Sequence, residues 1–103
     1  MDARVPLSPE QLDLALAELP GWTQQEAHIV ATFQMPTFAL GIDLVSRAAV
    51  SAEAANHHPD IDVRWRSVTF RLGSHDVDAI TIRDVNLARR IQAHAQDLGW
   101  ASP

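Results

Sequence analysis

Glu53-Ala54-Ala55-Asn56-His57-His58-Pro59, running on into Asp60-Ile61-Asp62-Val63-Arg64-Trp65, contains the transition around which the rest of the chain is arranged. Pro59 cannot continue a helix and pushes His58 toward extended backbone, so a helix hands over to a strand at this point. Beyond it the apolar positions fall at 61, 63 and 65, then at 68, 70 and 72. That change of parity predicts a bulge near Arg66-Ser67 in one long strand from Ile61 to Leu72. Upstream, Thr37 can cap the helix, and Phe38, Ile42, Val45, Ala49 and Ala52 form an apolar stripe suited to packing on a sheet.

Toward the N-terminus, Ser8-Pro9-Glu10-Gln11 has the cap, first-position proline and third-position Gln of a helix start, and Leu12, Leu16 and Leu19 recur at helical spacing. A first helix is expected from about Pro9 to Glu18, ended by Pro20-Gly21. Two short strands, Trp22 to about Gln25 and His28 to Met35, then make a hairpin. After the long strand, Gly73-Ser74 reads as a turn, and His75 opens a short fourth strand to about Ile80. Thr81-Ile82-Arg83-Asp84 resembles a capped helix start, and Val85, Ala88, Ile91, Ala95 and Leu98 line one face of the last helix, which Gly99 stops. The order is αββαββα. It predicts an α+β two-layer sandwich, a four-stranded antiparallel sheet with three helices on one face, over a single domain 1-103.

Composition narrows the function. At 103 residues and 47% hydrophobic the chain can build one core, and so small a domain gains from burying further surface in an oligomer. It has no cysteine, which removes disulfides, thiolate nucleophiles and Cys-ligated zinc and fits a cytoplasmic setting. Met1 to Pro6 lacks the apolar run of a secretion signal, and no stretch approaches a membrane span, so a soluble, unprocessed chain is expected. A net charge of -5 lacks the basic footprint that nucleic-acid backbones demand.

Three of the five histidines, His57, His58 and His75, stand with Glu53, Trp65 and Asp84 between the end of the middle helix and the start of the last one. Imidazole gives and takes protons near neutral pH, so this set reads as acid–base machinery. A lone histidine in a small domain is more often structural, and His28 and His94 take that reading. Glu53, one helical turn before His57, can orient the histidine pair. Asp84 can equally be a capping acid with Arg83 as its ion-pair neighbour, and Trp65 on a strand reads as core or interface. Adjacent histidines diverge and make poor partners for one ion, and no His-x-x-x-His pattern is present, so no metal is expected. Phosphate loops and serine elbows are also missing.

The ordered set Glu53, His57-His58-Pro59, Trp65, His75 and Arg83-Asp84-Val85-Asn86-Leu87-Ala88, with Gly21-Trp22 and Arg47, resembles the signature of the pterin-4a-carbinolamine (4a-hydroxytetrahydrobiopterin) dehydratases. The likeness spans nearly the whole chain, and the family's fold order is αββαββα. It implies a hydro-lyase that removes water from a 4a-hydroxytetrahydropterin to give the quinonoid dihydropterin, in the cycle begun by aromatic amino-acid hydroxylases, with no metal or organic cofactor. Carried over by position, His57 and His75 take part in proton transfer, and His58 helps hold the pterin and can share that role. The pterin lies against His57-His58-Pro59 and Ser74-His75-Asp76-Val77, with Glu53, Asn56, Arg83 and Asp84 supporting. Trp65 stands where many members have tyrosine, and Asn56 where the animal proteins have an acid.

The resemblance also carries a second reading. The animal protein is a dimerisation cofactor for a hepatocyte transcription factor, and some bacterial relatives resemble Rubisco assembly factors, so the fold can act as a protein-binding module. Retention of all three histidines favours the enzyme. A homodimer is expected as the minimum unit, joined by continuation of the sheet, with a tetramer made through a helix in some members.

Overall fold

The computed structural model describes residues 2–101. Its elements run α1 (Pro9–Ala17), β1 (Thr23–Gln25), β2 (His28–Gln34), α2 (Phe38–Ala55), β3 (Asp60–Arg64), β4 (Ser67–Leu72) and α3 (Ile82–Asp97). The four strands form one antiparallel sheet in the order β1-β2-β4-β3.

The helix starts stem from local chemistry. Ser8 and Gln11 close a capping box on α1, Thr37 accepts from the Leu40 N–H, and Thr81 and Asp84 close a second box on α3. Alternation sorts the sheet. Ile29, Ala31, Phe33, Val68, Phe70 and Leu72 are buried, whereas Thr32 and Gln34 between them are exposed, so one face carries the core and the other stays open. Phe33 sits at the centre, edge-on to Trp22, Phe70 and Trp100 with ring centroids 4.9 to 6.1 Å away. On α3, Val85, Ala88, Ile91 and Ala95 are buried as their spacing predicts.

Four expectations need correction. The parity change at Arg66-Ser67 is a two-residue hairpin, not a bulge: Asp60–Arg64 and Ser67–Leu72 are separate strands paired from Asp60↔Arg71 to Arg64↔Ser67. Trp65 takes φ +52° at the tip and is 74% exposed, with the Arg66 guanidinium 5.3 Å from its ring, so it is not core. The segment 75–80 is not a strand. It is a tight loop pinned by one bridge between Ser74 and Ala79. On α2 the buried face is Gly41, Leu44, Ala48, Ser51 and Ala52, which leaves Phe38, Ile42, Ala49 and Val50 outside; Gly41 allows the close approach, since a Cβ there would lie 3.3 Å from Val68. Among the described residues no helix is long and apolar enough to cross a membrane.

Candidate active site

The junction at the end of α2 sets the site. Asn56 takes the left-handed conformation, φ 49° and ψ 45°, which asparagine tolerates better than most residues. The His57 N–H returns to the Ala52 carbonyl at 3.1 Å. This reversal sends the two adjacent imidazoles different ways: His57 is buried and His58 is exposed.

His57 meets the first turn of α3. Its Nε2 donates to Asp84 Oδ1 at 2.5 Å, and Asp84 is 0% exposed. A carboxylate can only accept, so the ring proton stays on Nε2 and Nδ1 is left as the free nitrogen. The other oxygen, Oδ2, accepts the Thr81 N–H and the Ser74 hydroxyl, each at 2.9 Å. Because Ser74 spends its proton on Asp84, the Thr81 hydroxyl donates to Ser74 at 2.8 Å, and Thr81 Oγ1 in turn accepts from Arg83 N and Nε at 3.2 Å. Arg83 Nη2 donates to Asp76 Oδ1 at 2.7 Å. That bond holds the Asp76 carboxyl below its ordinary range and raises the guanidinium further, with burial opposing both. Burying a carboxylate is costly unless donors surround it, and here three do.

The remaining expected residues are placed differently. His58 Nε2 lies 3.7 Å from Glu53 Oε1 on the exposed rim, so Glu53 attends His58 while Asp84 attends His57. Arg83 pairs with Asp76 rather than with its neighbour Asp84, because consecutive helix residues do not face one another. Pro59 leads into β3. Val77 closes the loop through its N–H to the Ser74 carbonyl at 3.2 Å. His75 is exposed and meets His28 edge-on, ring centroids 6.0 Å apart. His28, a structural residue by its sequence context, thus backs an expected site residue. Carried one step beyond Ile29↔Leu72, the register sets His28 against Gly73, a neighbour visible only once β2 and β4 are paired. Among the described residues no three His, Asp or Glu side chains converge as a metal set. A cavity of about 230 Å³ opens beside His57 between α2 and α3, lined by Ser51, Ala54 and Ala55 on one side and Arg83, Asn86, Leu87 and Arg90 on the other.

The family model described as pterin 4 alpha carbinolamine dehydratase matches residues 5–94. The chain belongs to that family. A Nocardia farcinica protein provisionally named pterin-4-alpha-carbinolamine dehydratase is 49% identical over 90 residues, covering 87% of this chain and 95% of the relative. A Mycobacterium tuberculosis protein with the same provisional name is 48% identical over 87 residues, covering 84% and 93%. The crystal structure of a transcriptional coactivator/pterin dehydratase from Brucella melitensis superposes with a TM-score of 0.85 at 27% identity, covering 88% of this chain and 99% of that one. Three helices on a four-stranded antiparallel sheet are thus the dehydratase family's architecture. The buried Asp84–His57 pair sits where α2 and α3 of that architecture meet.

Proposed function

We propose that the protein is a 4a-hydroxytetrahydropterin dehydratase of tetrahydrobiopterin-type recycling. In this reaction the C4a–O bond breaks, the hydroxyl leaves as water with one added proton, the N5 proton is taken up, and a C4a=N5 double bond forms. One base and one acid suffice, and neither needs a metal. The observation that carries the reading is the buried bond from His57 to Asp84. It fixes the ring and its proton so that Nδ1 is the acceptor, suited to the N5 proton, and a proton gained there puts positive charge beside a carboxylate. His75, exposed on the neighbouring loop, is suited to protonate the departing hydroxyl. His58, held by Glu53 at the rim, steadies the pterin with Asn56 and Pro59, and the loop Ser74-His75-Asp76-Val77 offers backbone groups to its amide edge.

The test is the decay of the carbinolamine with and without protein, followed for wild type and for His57→Ala, His75→Ala. Loss of a proton-transfer group costs on the order of 10² to 10⁴ in rate. A folded double variant with wild-type turnover would remove the assignment. The family's second role, protein binding, has one observation in its favour: Phe38, Ile42 and Val50 stand exposed along α2.

A further inference from the structure

The cavity beside His57 has a charge pattern that an uncharged pterin does not use. All eight basic residues of this acidic chain are arginines. Among the described residues Arg4, Arg64, Arg83 and Arg89 each pair with a carboxylate, and Arg66 reaches the Pro36 carbonyl. Arg47, Arg71 and Arg90 have no carboxylate partner among them. One of these three, Arg90, lines the cavity, and a second, Arg47, stands one helical turn from its wall. On α3, positions 83, 87, 90 and 94 share a face by helical spacing; on α2, positions 47, 51 and 55 do the same. The Ser51 hydroxyl lies 2.8 Å from His94 Nε2 and ties the two faces together. Arg90 lines the cavity, Arg47 stands one turn before Ser51, and the charges of both reach His94, which burial first and then Arg47 and Arg90 hold below the ordinary imidazole range against the opposing charge of Asp97. The cavity lining contains Ser51, Asn86 and two guanidiniums but no carboxylate, and Asp76 already neutralises Arg83. An uncompensated arginine facing a concave, partly apolar space is a seat for a carboxylate or phosphate.

We infer that the pterin taken by this protein carries an anionic group on its C6 side chain, seated between α2 and α3 by Arg90 and Arg47. The inference rests on the dehydratase reading. C4a, N5 and C6 are consecutive ring atoms, so with N5 at His57 the C6 substituent starts within one bond of the reacting edge, beside the cavity mouth. At about 1.5 Å of rise per residue, Arg90 stands roughly 10 Å along α3 from Arg83, a distance a short side chain is needed to bridge.

Three probes decide the matter: 6-hydroxymethylpterin, its monophosphate ester and pterin-6-carboxylate, each titrated into the full chain by pterin fluorescence at low salt. A seated, charge-assisted contact predicts about 10- to 100-fold tighter binding of an anionic probe than of the neutral one. The ester leads if the seat is built for phosphate on a spacer, the carboxylate if it is built for an acid close to the ring. Arg90→Gln, and Arg47→Gln, Arg90→Gln if one arginine substitutes for the other, should bring that ratio near one, with Arg90→Lys retaining part of it. Equal affinities in the wild type, or an unchanged ratio in the folded double variant, would overturn the inference while leaving the dehydratase reading intact. Failure of all three probes to bind, together with no effect on carbinolamine decay, would remove both.

Discussion

Replacing Asp84 by asparagine changes one atom of the site and should disable it without unfolding the protein. The reason lies in which oxygen accepts from which donor. Oδ2 takes a backbone N–H, from Thr81, which can never become an acceptor, as well as the Ser74 hydroxyl. The amide oxygen of Asp84→Asn must therefore occupy the Oδ2 side, and its NH₂ must face His57 Nε2. A neutral His57 then keeps that bond only by switching tautomer, so that Nε2 accepts and Nδ1 carries the proton. The nitrogen offered to the pterin becomes a donor, and its capacity to take the N5 proton is gone. A base in the wrong tautomer costs as much as a missing one, on the order of 10² to 10⁴ in kcat. The packing stays, and with it most of the hydrogen bonds; losing the charge-assisted part should cost about 1–2 kcal/mol, or roughly 4–16 °C in Tm for a domain of this size. Asp84→Ala is the contrast: it removes the capping-box partner of Thr81 on α3 and orphans buried donors at Thr81, Ser74 and His57, for about 3–5 kcal/mol. Carbinolamine turnover, with melting followed by circular dichroism, separates the two effects. Wild-type kcat in folded Asp84→Asn would refute the claim that the carboxylate sets the tautomer.

Gly73→Ala places a Cβ 2.7 Å from His28 Cδ2 and 2.9 Å from the Ala27 carbonyl oxygen; it should cost about 1–3 kcal/mol in thermal melts, and His28→Ala should rescue it only in part because the backbone oxygen cannot withdraw. His94 is held low by burial, so the unfolded chain binds its proton more readily; its contribution is complete above the unfolded value near pH 6.5 and declines as pH falls through the folded pKa, and His94→Gln should flatten that decline in denaturant midpoints measured between about pH 7.5 and 5. For assembly, light scattering should give at least a homodimer, and Ile42→Glu, Val50→Glu should block only larger species if the sheet continues through β3; a monomeric double variant would refute that geometry, and a monomeric wild type would refute the dimer.

What could be read in the sequence was what local chemistry decides. The caps at Ser8, Thr37 and Thr81, and the stop at Pro59, each depend on atoms within a few residues, and each stands where expected. The phase of α2 was not legible in this way, because Phe38, Leu40, Ile42, Leu44, Val45 and Ala48 to Val50 supply apolar side chains in several directions, and only packing against α3 and β4 determines that Leu44 and Ala48 point inward. The β3–β4 hairpin was hidden for a different reason. Its tip holds Trp65 at positive φ with no glycine or asparagine to announce it, as Glu26 does at the tip of the β1–β2 hairpin. A long apolar strand at an edge would call for a second copy to cover it, yet β4 is central and the free edges are short β1 and charged β3. Within the site, the histidines and Asp84 were readable as a set. The separation of roles, His57 to Asp84 and His58 to Glu53, came from the left-handed turn at Asn56, which no spacing rule reports.

Asp84 shows why this site tolerates change unevenly. It is the third residue of α3, where an acidic side chain favours the positive end of the helix and closes the capping box with Thr81, and it is also the acceptor that orients His57. One carboxylate therefore helps fix where α3 starts and leaves Nδ1 as the free nitrogen of His57. Variation at Asp84 must lose stability and chemistry together unless, as with asparagine, the shape survives and only the proton pattern changes. His58 and His75 are bound by no such double duty. Both are exposed, neither caps an element, and their loss should be felt in turnover far more than in melting. On the proposed reading these two histidines do only chemistry, so they can drift toward new substrates or toward silence on an unchanged scaffold, which gives a physical route by which one fold can serve as a dehydratase or as a binding module.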